Sequence, residues 1–232
     1  MRRLHSATLK VISEERIMKK VLAINASPRK KWNTAMALQS ALEGAASAGA
    51  ETKLIHLAGL KFTGCISCFA CKRHENNAAI CAIRDDLRPI LEEAMEADAI
   101  IVGSPVYFSN LDAFAIAFLE RLLFMNYTYS MQQPSKLNKK IASGLILTMN
   151  ATDDLLEPLG YNRLFRHYAD TMGRILLGPS EYLAITDTLQ FTDYSRYMSS
   201  IFDPEHKKKM REEKFPKDLQ ACRELGQRLV LG

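Results

Sequence analysis

Four cysteines lie close together in the sequence and carry its clearest chemical signal. Cys65, Cys68 and Cys71 follow one another at intervals of three, and Cys81 comes after nine further residues. This spacing lets a short loop wrap around a metal centre, with a fourth ligand supplied from elsewhere. Four thiolates suit a [4Fe–4S] cluster or a tetrahedral zinc ion. Thiols that hold no metal, free or in a local disulfide, are a third interpretation, and His74 is a candidate substitute ligand.

The loop Ser27–Thr34 has the residue types of a phosphate site. Ser27 and Thr34 offer hydroxyls, Asn33 offers an amide, and Arg29 can add a bidentate, charge-assisted contact. A helix that begins near Asn33 presents free backbone N–H groups and the positive end of its dipole. The alternative is an ordinary capped turn with incidental basic residues. The loop contains neither GxxxxGK[ST] nor GxGxxG, which disfavours a P-loop and a Rossmann dinucleotide site.

A second loop, "GSPVYFSN" at residues 103–110, suits a planar ring. Pro105 fixes its own φ angle and removes a backbone donor. Backbone groups from Val106 to Ser109 can meet the polar edge of a ring, while Tyr107 and Phe108 supply flat apolar cover. The alternative is that the two aromatic side chains simply pack under the next helix.

Alternating strands and helices must position these loops. Short apolar runs predict buried strands, and amphipathic runs predict helices. The predicted strands are Val21–Asn25, Thr52–Leu57, Ala99–Gly103, Ile141–Thr148 and Tyr182–Ile185. Helices are predicted from Thr34, after Asp85 or Asp86, at Leu111–Phe124, at Leu159–Leu176 and, exposed, in the C-terminal stretch to Leu231. This alternation predicts an α/β three-layer sandwich with a five-stranded parallel sheet of order 2-1-3-4-5.

In such a sheet, ligands bind beyond the carboxyl ends of the strands, where the strand order reverses. For this order, that place lies between the first and third strands. The loops that follow Asn25 and Gly103 are therefore expected to lie side by side and to share one ligand.

The two loops together resemble a known family. "INASPRKKWNTA" followed by "GSPVYFSN" is similar to the pattern G-S-P-R-x-x-G-N-T and S-P-V-Y-x of the NAD(P)H-dependent FMN reductases of the flavodoxin-like superfamily, over most of Lys19–Ile185. The resemblance implies that the FMN phosphate is held by Ser27, Arg29, Asn33 and Thr34. It implies that the isoalloxazine is contacted by Pro105, Val106, Tyr107 and Phe108. Ala26 stands where glycine is common, and Trp32, where a small residue is common, either crowds the phosphate loop or shields the flavin.

The segment "GCISCFACKRHENNAAICAIRDD" closely resembles the cluster-binding loop of the iron–sulfur flavoproteins, a branch of the same family. In that branch the third and fourth cysteines are usually closer together, so the role of Cys81 stays open. The resemblance implies an oxidoreductase that passes electrons from NAD(P)H through FMN to an acceptor, by way of a [4Fe–4S] cluster if one is held. A non-enzymatic flavodoxin-like electron carrier and a zinc-stabilised interaction module are the alternatives.

The resemblance also implies a homodimer or homotetramer with the flavin near a subunit interface. The segment Phe124–Tyr129 and the cysteine loop are the candidates for that interface, and packing within one chain is the alternative for both.

Composition narrows the function classes. Hydrophobic residues make up 47% of the 232 and charged residues 25%, as in soluble globular proteins. No apolar run approaches the roughly 20 residues of a membrane span. The net charge of +5 comes without a basic stripe interleaved with aromatics, so nucleic-acid binding is not expected. Residues 1–17 lack the apolar segment of a secretory signal, and a cytoplasmic protein is expected.

Three regions are expected along the chain. Residues 1–17 are predicted to be a poorly ordered or loosely docked extension, with Met1 and Met18 both open as the start. Residues 18–190 are predicted to form the flavodoxin-like domain, with the cysteine loop at 64–86. Residues 191–232 are predicted to form a helical extension, in which Cys222 is a small apolar residue at helical spacing with Leu219 and Leu225.

Overall fold

Short apolar runs form the strands of a parallel sheet, as predicted. The computed structural model describes residues 18–73 and 80–232, so the predicted extension 1–17 and His74 lie outside the described residues. The strands are β1 (Lys20–Asn25), β2 (Glu51–His56), β3 (Ala99–Tyr107), β4 (Asn110–Leu111), β5 (Ile141–Thr148) and β6 (Leu177–Ile185). The helices are α1 (Asn33–Ser47), α2 (Arg88–Glu96), α3 (Ala113–Asn126), α4 (Tyr161–Leu176), α5 (Pro204–Glu213) and α6 (Phe215–Leu231).

The sheet confirms the predicted flavodoxin-like α/β fold. Its five parallel strands lie in the order β2-β1-β3-β5-β6. This is the predicted order, with one difference: the two-residue strand β4 pairs antiparallel with the end of β3. The numbering shifts because β4 falls between the third and fourth parallel strands in the sequence.

The central strands β1, β3 and β5 are buried on both faces over most of their length, which explains their uninterrupted apolar runs. In β1, Leu22 and Ile24 belong to one core, whereas Val21 and Ala23 belong to the other. Helices α2, α3 and α4 cover the first core, and α1 and α6 cover the second. The result is the predicted three-layer sandwich.

Helix α6 is not the exposed helix that its charged residues suggest. Its buried face includes Cys222, which the sequence predicts to be a small apolar residue, together with Leu225 and Leu229. It crosses α1 at very short range through Gly44 and Gly226. A Cβ atom on Gly226 would lie 1.8 Å from the carbonyl oxygen of Ala41, so only glycine allows this approach.

Two strands are longer than predicted. β3 continues past Gly103 to Tyr107, and β6 begins at Leu177 rather than at Tyr182. Pro105 in β3 and Pro179 in β6 hide these extensions, because proline cannot donate to a sheet ladder and usually argues against a strand. Within the part of the chain that the structure describes, no helix is both long and apolar enough to cross a membrane.

Candidate functional site

The loop after β1 begins beside the last part of β3. Asn25, the last residue of β1, pairs with Gly103, four residues before the end of β3, and the Ala26 N–H donates to the Gly103 carbonyl oxygen at 2.9 Å. A side chain on Gly103 would lie 2.6 Å from Leu38 and 2.9 Å from Thr34. Glycine at this position therefore lets α1 lie close against the sheet, which brings the start of α1 to the same edge.

The first of these loops places three predicted phosphate ligands at the start of α1. Ser27, Asn33 and Thr34 are all buried. The Ser27 Oγ accepts from the Arg29 N–H at 3.2 Å, and the hydroxyls of Thr34 and Thr148 lie 2.7 Å apart. The N-cap position of α1 is Trp32, whose side chain makes no capping hydrogen bond. The first N–H groups of α1 are thus left without a capping side chain, which suits an anion.

The chain segment after β6 lies across this loop. The Leu189 carbonyl oxygen accepts from the Trp32 Nε1 at 3.1 Å and from the Asn33 Nδ2 at 2.9 Å. The Gln190 carbonyl oxygen accepts from the Arg29 guanidinium at 2.7 Å. The side chains of the loop are therefore held in place by backbone carbonyls from the C-terminal part of the chain.

A second arginine, from α5, reaches the same loop. Arg211 donates to the Asn33 Oδ1 at 2.8 Å. The Arg29 guanidinium stacks on Trp32 at 4.2 Å from the ring centre, and Arg211 lies 5.8 Å from the same centre. Burial lowers the pKa of Arg211 from its usual high value. Trp32 thus lies between two cations that could meet an anion, and the sequence analysis did not identify Arg211.

The predicted ring-binding residues form the tip of a hairpin rather than a free loop. Val106 pairs with Leu111, and Tyr107 pairs with Asn110. The turn at Phe108 and Ser109 has left-handed backbone, with φ angles of 47° and 62°. The prediction that Pro105–Phe108 is an exit loop is therefore wrong, because β3 continues and folds back on itself.

The hairpin presents its aromatic side chains to solvent. Tyr107 is 48% exposed and Phe108 is fully exposed, so the alternative in which both pack under the next helix does not hold. Pro105 is half-buried at the base of the hairpin, where its carbonyl oxygen accepts from the Ser104 hydroxyl at 2.7 Å. Two exposed aromatic rings beside a candidate phosphate loop are suited to cover a planar ligand.

A buried carboxylate, Asp112, supports the base of this hairpin. Its backbone N–H donates to the Ser104 Oγ at 2.9 Å, and its side chain caps α3 by accepting from the Ala115 N–H at 2.9 Å. Burial raises the pKa of Asp112 to about 6, against the opposing effect of these hydrogen bonds. Burial, followed by the charge of Asp112, raises the pKa of Tyr107, while Arg29 from the other loop lowers it. The two loops are thus close enough to interact electrostatically.

The four clustered cysteines line one small apolar cavity, whose other walls include Arg121, Phe124 and Met125. Cys71 is buried, Cys65 and Cys81 are half-buried, and Cys68 is exposed. All four thiols are free in the structure. The chain therefore brings Cys81 to the other three in spite of its longer spacing.

Basic groups surround this cavity. Lys136 donates to the Cys71 carbonyl oxygen, and Lys72 donates to the carbonyl oxygens of Phe124 and Tyr127. Among the described residues, no group of three or more His, Cys, Asp or Glu side chains is arranged to hold a metal ion as it stands. The donor set suits a metal, so uptake would have to draw the sulfurs inward, as coupled metal binding and folding commonly does.

Comparisons with known proteins identify relatives of this chain and agree with its fold. Curated relatives include an iron–sulfur flavoprotein of Methanocaldococcus jannaschii, 43% identical over 94 residues, which are 40% of this chain and 47% of the relative. An iron–sulfur flavoprotein of Archaeoglobus fulgidus is 36% identical over 102 residues, covering 44% of this chain and 48% of the relative. The chain thus spans about half the length of the curated relatives it matches.

Solved structures show the same fold at low identity. An NAD(P)H:quinone oxidoreductase of Methanothermobacter marburgensis has a TM-score of 0.61 and 17% identity, covering 91% of this chain and 97% of the other. An azoreductase of Bacillus anthracis has a TM-score of 0.60 and 14% identity, covering 91% of this chain and all of the other. Residues 19–155 match the family described as NADPH-dependent FMN reductase. Because that match covers more than half of the sequence, the chain belongs to the NADPH-dependent FMN reductase family.

Proposed function

We propose that this chain is an FMN-dependent oxidoreductase that takes electrons from NAD(P)H. The observation that supports the proposal is the pairing of Asn25 with Gly103, because the loop Ser27–Thr34 then starts beside the part of β3 that leads into the hairpin at Tyr107 and Phe108. A phosphate site and an aromatic platform on neighbouring loops are what a flavin mononucleotide requires. Bound FMN would supply the capacity to accept a hydride and to release electrons singly or in pairs.

The phosphate end of the flavin is assigned to the first loop. The uncapped N–H groups of α1 and the side chains of Ser27, Asn33 and Thr34 provide the donors. Arg29 gives one N–H to Gln190, and a guanidinium has five, so it can serve a phosphate as well. The Arg29 guanidinium packs on the face of the Trp32 ring, so Trp32 orients this charge and does not block the candidate phosphate loop.

The ring end is assigned to the hairpin. Tyr107 and Phe108 are assigned to the aromatic cover of the ring, and the backbone of Pro105 and Val106 is assigned to its polar edge. Because Asp112 and Ser104 brace the base of the hairpin, the exposed tip can hold a ring in one orientation. These residues bind, orient and exclude water; the bound flavin does the redox chemistry.

The cysteine cavity is assigned to a [4Fe–4S] cluster held by Cys65, Cys68, Cys71 and Cys81. The support is that all four thiols line one cavity and that the matched relatives are named iron–sulfur flavoproteins. Nearby Lys72, which donates to the carbonyl oxygen of Phe124 in the cavity wall, would offset the negative charge of a thiolate-ligated centre. A cluster here would let the flavin pass on electrons one at a time.

A homodimer or homotetramer is proposed as the assembly. The cysteine segment exposes apolar side chains, with Ile66 63% and Phe69 49% exposed, and Phe69 packs edge-on against Phe124. Such a cluster of exposed apolar groups is typical of an interface. Gel filtration with light scattering measures the mass directly, and a monomer would refute this assignment.

One set of assays tests the proposed function. The purified protein is titrated with FMN by fluorescence, and oxidation of NADH and NADPH is followed by absorbance with and without added FMN. Saturable FMN binding with FMN-dependent NAD(P)H oxidation is expected. Tight FMN binding without oxidation would indicate a non-enzymatic electron carrier instead.

Metal analysis on anaerobically purified protein decides the cysteine assignment. Iron and acid-labile sulfide in equal amounts support the cluster. Zinc without flavin binding would indicate a zinc-stabilised interaction module, and the absence of FMN affinity would overturn the proposed function as a whole.

A further inference from the structure

A single arginine from α3 lies beneath the cysteine loop. The Arg121 side chain is fully buried, although it belongs to a helix whose neighbouring residues are almost all apolar. Burying a guanidinium is costly unless an anion and hydrogen-bond acceptors compensate it. Asp85, itself mostly buried, provides the anion at 2.5 Å. Because its burial needs this compensation, we expect Arg121 to have a specific function at this position.

Arg121 ties the two ends of the cysteine loop together. Its NH1 donates to the Thr63 carbonyl oxygen at 3.3 Å, just before Cys65. Its NH2 donates to the Ile83 carbonyl oxygen at 3.4 Å, just after Cys81. Asp85 strengthens the same closure, because its Oδ2 also accepts from the Thr63 N–H at 3.4 Å. One side chain on a rigid helix thus fixes where the loop starts and where it ends.

The third donor group of Arg121 is its Nε–H. Its Nε is buried and makes no hydrogen bond within the described part of the chain. Arg121 lines the same cavity as the four cysteines, and the Cys81 side chain is close enough to interact electrostatically with the guanidinium group. A buried donor without an acceptor is uncommon in native structures, and the Cys81 sulfur, which lines the same cavity, is an acceptor that a small shift would bring to it.

We propose that Arg121 is a positioning residue for a thiolate-ligated metal centre, holding Cys81 in place as the fourth ligand and donating its Nε–H to the Cys81 sulfur. The inference rests on the cysteine centre assigned above. Ligand sulfurs in such centres accept hydrogen bonds, and these bonds set the affinity and the reduction potential. Because Arg121 holds the carbonyl group of Ile83, two residues after Cys81, α3 restricts the position of Cys81.

The test compares Arg121→Lys and Arg121→Gln with Cys81→Ser after anaerobic reconstitution with iron and sulfide. Arg121→Lys keeps the charge but removes the fork and the Nε–H. Iron affinity is expected to fall about 10-fold or more in all three variants. The reduced centre of the arginine variants should also show an altered EPR spectrum and a lower midpoint potential, which a purely structural role would not produce. Arg228→Gln, which removes an exposed arginine of α6, is the matched control and should behave as wild type.

A measurement on the unmutated protein makes the test independent of folding. With arginine labelled at Nε with ¹⁵N, loading with zinc should shift one Nε–H resonance and slow its exchange with solvent. Wild-type iron content and potential in both arginine variants would overturn the inference. An intact cluster in Cys81→Ser, an unchanged Nε–H spectrum, or a wild-type protein that takes up neither iron nor zinc would overturn it as well.

FMN binding and NAD(P)H oxidation are measured on the same preparations. These measurements test the proposed flavin function independently of the metal centre, because the loop Ser27–Thr34 and the hairpin lie outside the cysteine cavity. A protein that binds FMN and oxidises NAD(P)H but takes up no metal would retain its flavin assignment and lose both the cysteine centre and the role of Arg121. A protein that takes up metal but shows no effect in the arginine variants would lose only the role of Arg121.

Discussion

Replacing Gly226 by alanine tests the close crossing of α1 and α6. In an exposed helix interior, glycine to alanine stabilises by about 1 kcal/mol, because alanine has the higher helix propensity. At this crossing the new Cβ would lie 1.8 Å from the Ala41 carbonyl oxygen. Carbon and carbonyl oxygen normally stay about 3.3 Å apart, so the two helices would have to separate by about 1.5 Å.

The expected net effect is destabilisation. Overpacking costs about 1–3 kcal/mol, and the upper end applies because the atom in the way is backbone rather than a flexible side chain. Subtracting the propensity gain leaves a loss of about 2 kcal/mol. For a chain of this size that corresponds to a fall in Tm of about 4–8 °C. Because α1 also carries Asn33 and Thr34 of the candidate phosphate loop, FMN affinity should fall together with the stability.

The assay is thermal unfolding by circular dichroism with FMN titration on the same samples. Glu224→Ala, an exposed change on the same helix, serves as the control and should alter stability by less than about 0.5 kcal/mol. A Tm of Gly226→Ala at or above the wild-type value would show that helix propensity dominates. The helices would then not cross as closely as the structure has them.

Three further substitutions address charged groups at the carboxyl edge of the sheet. Arg29→Ala should weaken FMN binding about 10- to 100-fold in a fluorescence titration, because a hydrogen bond to a charged group is worth about 1.5–3 kcal/mol. Burial raises the pKa of Asp112 to about 6. The stability that its protonated form contributes is therefore present below about pH 4 and is lost as the pH rises through 6. Asp112→Asn should for this reason be at least as stable as wild type at pH 8. Burial alone would raise the pKa of Asp187, but the hydrogen bonds from Lys207 and His206 outweigh this effect and lower the pKa. The stability that the ion pair of Asp187 with Lys207 contributes is therefore present at neutral pH and lost as the pH falls below about 4. Asp187→Asn should cost about 3 kcal/mol in a denaturant titration at pH 7, because it leaves Lys207 buried without its anion.

Controls and contrary outcomes differ for the three. Lys31→Ala removes an exposed charge from the same loop as Arg29 and should leave FMN affinity nearly unchanged. Equal losses of FMN affinity in Arg29→Ala and Lys31→Ala would mean that Arg29 acts only through its charge and not through a specific contact. For Asp112→Asn, a stability deficit that grows from pH 5 to pH 8 would contradict the raised pKa. For Asp187→Asn, a difference from wild type that stays constant down to pH 3 would exclude the ion pair as its cause.

The parallel sheet could be predicted from the sequence because its central strands are uninterrupted apolar runs. The runs at Val21–Asn25 and Ala99–Gly103 are apolar throughout, which only a doubly covered parallel strand accommodates. The strand order then placed the two loops together, and the structure agrees. The end of β3 escaped prediction, because a tight turn with left-handed backbone at Phe108 and Ser109 is unusual for these residue types.

The contacts made at long range in the sequence were harder to predict. Leu189 and Gln190 hold the candidate phosphate loop through their carbonyl oxygens, which every residue has, so no residue type marks them. Arg211 lies within a charged run that is typical of a solvated helix face. Arg121 did leave a signal, since it is a lone cation in the apolar helix α3, and such a residue has to find a buried partner.

The residue choice at both edges of the sheet restricts how copies of this chain can associate. On the edge strand β2, Glu51 is exposed, and Lys53 is half-exposed and pairs with Glu93. On the opposite edge, β6 carries Pro179, which cannot donate to a new strand, and Glu181, which is held by Arg228. Charges and proline on edge strands discourage pairing with a further strand. Copies of this chain are therefore expected to meet through helices and loops rather than by continuing the sheet, and the same edges protect the protein from strand-mediated aggregation.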